Sequence, residues 1–351
     1  MRIAIDAMGS DHAPLPEVNG AVKASELVDA EIILVGDEAQ LIKALGKRAR
    51  PSISIVHASE VITMEDVPMV AVRKKKDASM LVAMRLVKQG KADAVLSAGN
   101  TGAVMLAART ILRSIQGVAR QAICQVFPTA TGTCIVLDVG ANVDCTARHI
   151  CDFAEMGVVY SQDVLGTNQP RVGLLNIGEE QPKGNEVAKT VHRILQAAPH
   201  VKFIGNVEPK AVFRGAADVV VCDGFVGNVF LKTSEAAGAL VRTLLTRELK
   251  SSWISMFGAL LSRGAFKRLK QHIEPNEYGG APLLGINGIV LILHGACNAK
   301  GVTNAVKGAC RAVEHQINRH IQEGIAEIRN TEERVESDPE PVPGESAVVE
   351  A

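Results

Sequence analysis

Lys183 is the only cation in a loop otherwise built from small, amide and acidic residues, LNIGEEQPKGN (Leu175–Asn185), which follows directly on an apolar run. A lysine so placed can hold a phosphate as a point charge or polarise a carbonyl oxygen, whereas an isolated loop lysine is ordinarily just solvated. Glu179 shares the loop. A second cluster, CDGFVGN (Cys222–Asn228), offers Asn228 as a donor to a developing oxyanion. Its Asp223 either orients a neighbour or caps the helix that follows. Cys222 lies inside the apolar run and reads as packing before nucleophile. In AGNTGA (Ala98–Ala103) a strand ends and a helix opens, so Asn100, Thr101 and Gly102 could meet phosphate through free amides and a hydroxyl. The same residues also suit any tight turn. His294 closes the run LILHGAC, as either a core histidine or an acid–base group.

Each cluster needs a strand to deliver it. Six short aliphatic runs stop in polar, glycine-rich turns: IAID-AMGSD, AVLS-AGNTGA, IVLD-VGAN, GLLN-IGEE, KFIG-NVEPK and VVVCD-GFVGN. Continuous apolar runs of this length are the pattern of parallel strands covered on both faces, and open α/β sheets bind ligands beyond the carboxyl ends of such strands. The expected site is therefore a crevice of Asn, Asp, Gly and Thr suited to an anion, with Asn142 of VGAN among its members.

The expected strands are Ile3–Asp6, Glu31–Val35, Ile53–Val56, Ala94–Ser97, Ile135–Asp138, Val172–Asn176, Val201–Ile204, Val219–Cys222 and Ile289–Leu293. Helices are expected between them, including Glu38–Leu45, Ser79–Gln89, Ser234–Leu249 and a long last one near Thr303–Ile328. Alternation of this kind predicts an α/β fold, a layered, mostly parallel sheet with helices on both faces. Residues 1–330 form the expected catalytic unit, with a helical insertion at about 234–275. Residues 331–351, rich in Glu, Pro and Ser, read as a disordered tail.

Composition narrows the function. With 351 residues, 47% hydrophobic and only 3% aromatic, the chain suits an aliphatic-cored α/β enzyme. Lys plus Arg and Asp plus Glu balance at 38 each, which gives no electrostatic case for nucleic acid. Seven scattered cysteines suit reduced thiols in the cytosol. No secretory leader is expected ahead of the first strand, nor a bilayer-spanning run. GxxxxGK[ST] is absent, and no GxGxxG follows the first strand, which disfavours NTP hydrolysis and dinucleotide binding. Histidine and carboxylate spacings offer no metal-ligand pattern, so neither metal nor cofactor is expected.

One segment has a different character. In Ser251–Ile273, Trp253, Phe257, Leu261, Ala265 and Leu269 recur every fourth residue beside Arg263, Lys267, Arg268 and Lys270, while Gly258 and Gly264 weaken a continuous helix. The stripe is either dimer packing or an interfacial anchor, with cations toward anionic headgroups; the cations could instead meet an acidic carrier protein.

Longer stretches are similar to one family. IAIDAMGSDHAP, SAGNTGA, LDVGANVD, LLNIGEEQPKGN, VVVCDGFVGNVFLKTSE and EYGGAPLLGINGIVLILHGA resemble, in order, the bacterial phosphate acyltransferases of the PlsX family, over residues 1–325 or so. Ser10 and Pro209 depart from it, each standing where a glycine is common. The resemblance implies transfer of a fatty acyl group from acyl carrier protein to inorganic phosphate, giving acyl phosphate for phospholipid synthesis. It further implies a fold like that of phosphotransacetylases and isocitrate dehydrogenases, a homodimer, and peripheral attachment at the cytoplasmic membrane near the downstream glycerol-3-phosphate acyltransferase.

The residues suit that chemistry. A thioester is already activated and phosphate is a competent nucleophile, so positioning matters most: about 7–11 kcal/mol from orientation, against about 2.7–4 kcal/mol for one oxyanion donor. Lys183 is assigned to charge stabilisation and Asn228 to the oxyanion or thioester. Asn100, Thr101, Gly102 and Asn142 are assigned to a phosphate cradle, with Glu179, Asp223 and His294 lining it. Two rival readings are an acyl-CoA phosphotransacetylase and a non-catalytic membrane scaffold. A decarboxylating dehydrogenase lacks the arginine-rich and acidic metal motifs it would need.

Overall fold

A computed structural model of the chain describes residues 1–337. All nine expected strands form, but they divide between two sheets, and three more strands join them. The first sheet is assembled from β1 (Arg2–Asp6), β2 (Glu31–Gly36), β3 (Ile53–His57), β4 (Ala94–Ser97), β5 (Ala122–Ile123), β11 (Ala281–Leu284) and β12 (Ile289–Ile292), in the order β3-β2-β1-β4-β12-β11-β5. The second contains β6 (Gln125–Thr129), β7 (Gly132–Leu137), β8 (Val172–Leu175), β9 (Phe203–Val207) and β10 (Val219–Val221), in the order β6-β7-β10-β8-β9. β5, β6 and β11 are the antiparallel members. They escape the sequence because their runs are short or interrupted by Pro128 and Pro282.

Register puts the polar turns side by side. Asp6 pairs with Ser97, and Ser97 with Ile292, at the carboxyl end of the first sheet. Val221 pairs with both Leu137 and Leu174 in the second. Ile3, Ile5, Leu34, Leu96, Ile135, Leu137 and Val219 to Val221 are essentially inaccessible to solvent. Each such side chain stabilises the fold by roughly 1.5–3 kcal/mol relative to exposure, so the strands form a rigid base for the loops above them.

Several boundaries move. The strand expected at Val201–Ile204 is Phe203–Val207, with a register irregularity opposite Val172–Leu174. The helix expected from Ser234 begins at Gly224 and runs 26 residues to Leu249. The single last helix is two, Ala299–Glu314 and Ile317–Ser337, parted at Gln316, whose φ is 50°. Thr331–Ser337 is therefore helical rather than disordered tail; residues 338–351 lie outside the described residues. The reason is pairing: Arg329 bridges buried Asp152 and Glu332 while Ile321, Ile325 and Ile328 bury the same helix face. Acidic composition there marks a paired interface. Pro209 occupies the first turn of Pro209–Arg214, where a missing N–H costs nothing.

Candidate active site

The first group of residues gathers at the end of the first sheet around Asp6. This carboxylate, 1% exposed, accepts hydrogen bonds from Ser79 Oγ and Ser97 Oγ, both at 2.6 Å. Burial pushes its pKa up and the two serines oppose the rise. The cluster ties β1, β4 and the helix Ser79–Lys88 together and brings Gly9 onto Gly99: a Cβ at Gly9 would lie 2.8 Å from the Gly99 amide nitrogen.

Asn100 shapes the turn. Its Oδ1 accepts from the Ala103 amide at 3.1 Å, and its Nδ2 donates to the carbonyls of Met64 and Asp66 at 3.3 and 3.2 Å. Its side-chain amide is thus already committed. Thr101 is exposed at the start of the next helix, and Gly102 packs against Pro68. His294 is exposed, not a core histidine, and its Nδ1 accepts from the Ala296 amide at 3.1 Å. With Nδ1 accepting, Nε2 is the ring nitrogen left to donate. The next residue's carbonyl, Gly295, accepts from the Asp11 amide at 2.9 Å.

Behind this turn lies Glu17, 1% exposed, with neither carboxylate oxygen hydrogen-bonded among the described residues. Burial, assisted by the Asp6 charge, pushes its pKa up to about 7; the buried Ser10 hydroxyl, which lacks a hydrogen bond of normal geometry, offsets only part of that. A carboxyl whose folded pKa exceeds its unfolded one takes up a proton on folding, so its stabilising share is present at low pH and fades as pH rises through 7. Thermal stability of the wild type is expected to fall as pH rises from the ordinary carboxyl value of 4.5 to about 7, and to lose little more from this group above that. Glu17→Gln should flatten this slope. An unchanged slope in the variant would show that Glu17 does not titrate there.

The second group forms on the second sheet around Asp138, fully buried at the end of β7. Its Oδ1 accepts from the amides of Ile123, Gly140 and Ala141 at 3.1, 3.1 and 3.0 Å, and its Oδ2 from the Asn142 amide and Nδ2 at 2.7 and 3.0 Å. Burial raises its pKa and these bonds counter it. The Asn142 side chain also donates to the Gln121 carbonyl at 2.7 Å, so it too organises the loop. The long helix Gly224–Leu249 enters against this loop. A Cβ at Gly227 would sit 1.9 Å from the Asp138 carbonyl oxygen, so only glycine permits the approach. Asp223 caps the helix through the Val226 amide at 2.8 Å, and Asn228 is exposed over Gly140.

β8, beside β10, supplies the third loop. Asn176 Nδ2 donates to the Lys183 carbonyl at 3.0 Å and Asn206 Nδ2 to the Glu180 carbonyl at 2.8 Å, which fixes the loop from below. The stem of Lys183 runs over Gly178, and its ammonium is exposed with no ion pair among the described residues. Glu179 is likewise exposed. Lys183, Asn228, Thr101 and His294 are thus the groups left available, whereas Asn100, Asn142 and Asp223 hold the turns. Cys222 is buried with its thiol pKa raised well above the usual value, as packing requires.

Asp6 and Asp138 are the residues sequence reasoning passed over. Their signal was visible: each is an acid closing an otherwise apolar run, IAID and IVLD.

Trp253, Phe257 and Leu261 lie apart from both groups, beyond the far end of the long helix, which at about 1.5 Å per residue spans roughly 39 Å. The expected stripe is split at Ser262 into Trp253–Leu261 and Arg263–Ile273, the second carrying Arg263, Lys267 and Arg268.

The chain matches, over residues 1–320, the family described as fatty acid synthesis protein. It is 48% identical over 329 residues to a phosphate acyltransferase of Trichlorobacter lovleyi, covering 93% of this chain and 95% of that one. It is also 48% identical over 325 residues to a phosphate acyltransferase of Geobacter sulfurreducens, covering 92% and 94%. Among solved structures it resembles a phosphotransacetylase from Streptococcus pyogenes, with TM-score 0.63, 14% identity and coverage of 90% and 94%. A branched-chain phosphotransacylase from Enterococcus faecalis gives TM-score 0.56 at 18% identity, with coverage of 90% and 99%. At these identities the structures speak for the fold alone.

Proposed function

The chain belongs to the phosphate acyltransferase family, and on that premise we propose that it transfers a fatty acyl group from acyl carrier protein to inorganic phosphate, forming acyl phosphate for phospholipid synthesis. The observation that carries this reading is the near-complete alignment with phosphate acyltransferases; the exposed ammonium, amide, hydroxyl and imidazole of Lys183, Asn228, Thr101 and His294, at the carboxyl ends of the two sheets, support it. In this reading a phosphate oxygen attacks the thioester carbonyl, the carbon–oxygen bond forms, and the carbon–sulfur bond breaks to release the carrier thiolate, which takes a proton. Lys183 and Asn228 stabilise the charge that develops on the carbonyl oxygen. The Thr101 hydroxyl and His294 Nε2–H, on turns shaped by Asn100 and Gly102, donate to phosphate; Asn142 and Asp223 position the loops that face them, and Glu179 lines the site.

Both reacting partners arrive activated or charged, so no acyl-enzyme is needed, and the buried thiol of Cys222 suits that absence. Donor choice tests the reading. A long-chain acyl carrier protein thioester is expected to exceed acetyl-CoA in kcat/KM by at least about a hundredfold, or roughly 2.7 kcal/mol of transition-state binding. Preference for acetyl-CoA would make the enzyme a phosphotransacetylase instead.

The same reading has the enzyme working as a homodimer in the cytoplasm, at the inner face of the cell membrane, beside the glycerol-3-phosphate acyltransferase that consumes its product. Supporting it, Leu240, Val241, Leu244 and Leu245 expose an apolar face on the long helix suited to a second copy. Trp253 at 77% exposure and Leu261 at 72% suit a lipid boundary, with Arg263, Lys267 and Arg268 toward anionic headgroups. No helix among the described residues is long and apolar enough to cross a membrane. Trp253→Ser with Phe257→Ser is expected to weaken binding to anionic vesicles while the dimer and activity in solution persist. Full vesicle binding by the double variant, or its collapse to inactive monomers, would assign the segment to packing.

A further inference from the structure

We propose that the exposed face of the helix Pro68–Lys74, with the basic residues at its end, is the surface on which the acidic carrier protein docks to deliver its thioester. This rests on the acyl-carrier reading above. The stretch Glu60–Ala78 lies over the carboxyl end of the first sheet and is fastened to the site itself. Asn100 donates to its Met64 and Asp66 carbonyls at 3.3 and 3.2 Å, Gly102 packs on Pro68, and the helix that follows begins with Ser79 on Asp6 at 2.6 Å. Lys75 locks the stretch internally through Asp66 at 2.5 Å.

Only one side of this short helix is covered, by way of Ala71 and Val72. On the other side Met69 and Val70 are 57% and 47% exposed, and Val67, capping the helix at its start, is 63% exposed. Single exposed apolar side chains are ordinary; three together at the edge of a crevice mark a contact surface, and methionine adapts to varied partners. Charge names the partner. Arg73 and Lys74 are exposed with no acidic partner among the described residues, and Lys76 reaches only the Val72 carbonyl, at 3.4 Å. The neighbouring acids are mostly paired, Asp66 with Lys75, Asp77 with Ser59 and Glu60 with the Asp77 amide, which leaves Glu65 as the one exposed acid of the stretch without a partner among the described residues. A partner with acidic residues around an apolar centre is complementary to this face. Docked there, it would present a thioester on a flexible arm to the phosphate held by Thr101 and His294 without entering the crevice itself. A bilayer on this face would cover the mouth of the site, and the remote segment from Trp253 already offers a lipid surface.

The test uses the full chain and the triple variant Arg73→Glu, Lys74→Glu, Lys76→Glu, with Met69→Ser plus Val70→Ser as a second, uncharged probe of the same face. Titration with carrier protein, steady-state kinetics at several salt concentrations, and binding to phosphatidylglycerol vesicles are measured together. The triple variant is expected to raise both Kd and KM for the carrier at least about tenfold and to lose most of their salt dependence, with kcat and the KM for phosphate within about twofold of wild type. Vesicle binding should not change. Carrier binding within about twofold of wild type in both variants, or loss of vesicle binding with carrier binding intact, would overturn the proposal. A wild-type chain that binds carrier through this face yet forms no acyl phosphate would instead refute the catalytic reading and leave the docking surface standing.

Discussion

Lys183→Ala is expected to lower acyl-phosphate synthesis at least about tenfold, and by as much as about 10²–10³ if the ammonium meets the oxyanion directly, since one such donor contributes about 2.7–4 kcal/mol. The fold should not notice. The ammonium is exposed, and the loop is held instead by Asn176 and Asn206 through backbone carbonyls. Thermal unfolding of the variant should therefore match wild type. The kinetics also separate the two roles open to the cation. A fall in kcat with unchanged KM for phosphate places it on the transition state, whereas a raised phosphate KM places it on the ground-state anion. Lys183→Arg should recover only part of the loss, because a planar guanidinium does not reproduce a point charge over the same loop. A folded alanine variant with near-normal turnover would remove Lys183 from the mechanism.

Asp138→Ala should have the largest effect on the fold and the site together. The carboxylate accepts five hydrogen bonds, four from backbone amides of Ile123, Gly140, Ala141 and Asn142 and one from the Asn142 side chain. Removing it leaves buried donors without a partner, at about 1–3 kcal/mol each where water does not replace it. A loss of several kcal/mol in stability is expected, read as an earlier denaturation midpoint, with activity nearly abolished. Asp138→Asn keeps the shape but replaces one acceptor oxygen with a donor, and should be intermediate in both respects. The loop it holds carries Gly140 beneath Asn228, so even the folded fraction of the alanine variant should turn over slowly. Wild-type stability and turnover in Asp138→Ala would mean that the loop is held by other contacts.

Much of this architecture was legible because its causes are local. Aliphatic runs such as IAID, AVLS and VVV must be buried on both faces, and each is a strand here. The division into two sheets was not legible, since it depends on which runs pair: β5 and β11 are four residues long or shorter and are recruited by neighbours rather than by their own propensity. In the site, the glycine- and asparagine-rich turns were visible, but the direction of each side chain was not. Asn100 and Asn142 look like ligand donors by composition, and both are turned to carbonyls of their own loops. Asp6 and Asp138 look like ordinary strand ends, and both hold their loops from beneath. The end of the last helix was misread because acids suggest solvent, whereas Arg329 draws Asp152 and Glu332 into a buried pairing.

The reaction itself is tested most directly by following oxygen. Wild-type enzyme is mixed with long-chain acyl carrier protein thioester and phosphate labelled with ¹⁸O at all of its oxygens, and the products are weighed by mass spectrometry alongside the intact enzyme. Direct attack by a phosphate oxygen on the thioester carbonyl requires acyl phosphate that keeps the full label, bridging oxygen included, free carrier thiol in equal amount, and unmodified enzyme. Free fatty acid without acyl phosphate, loss of one label from the bridge, or a kinetically competent acyl adduct on any cysteine would contradict it.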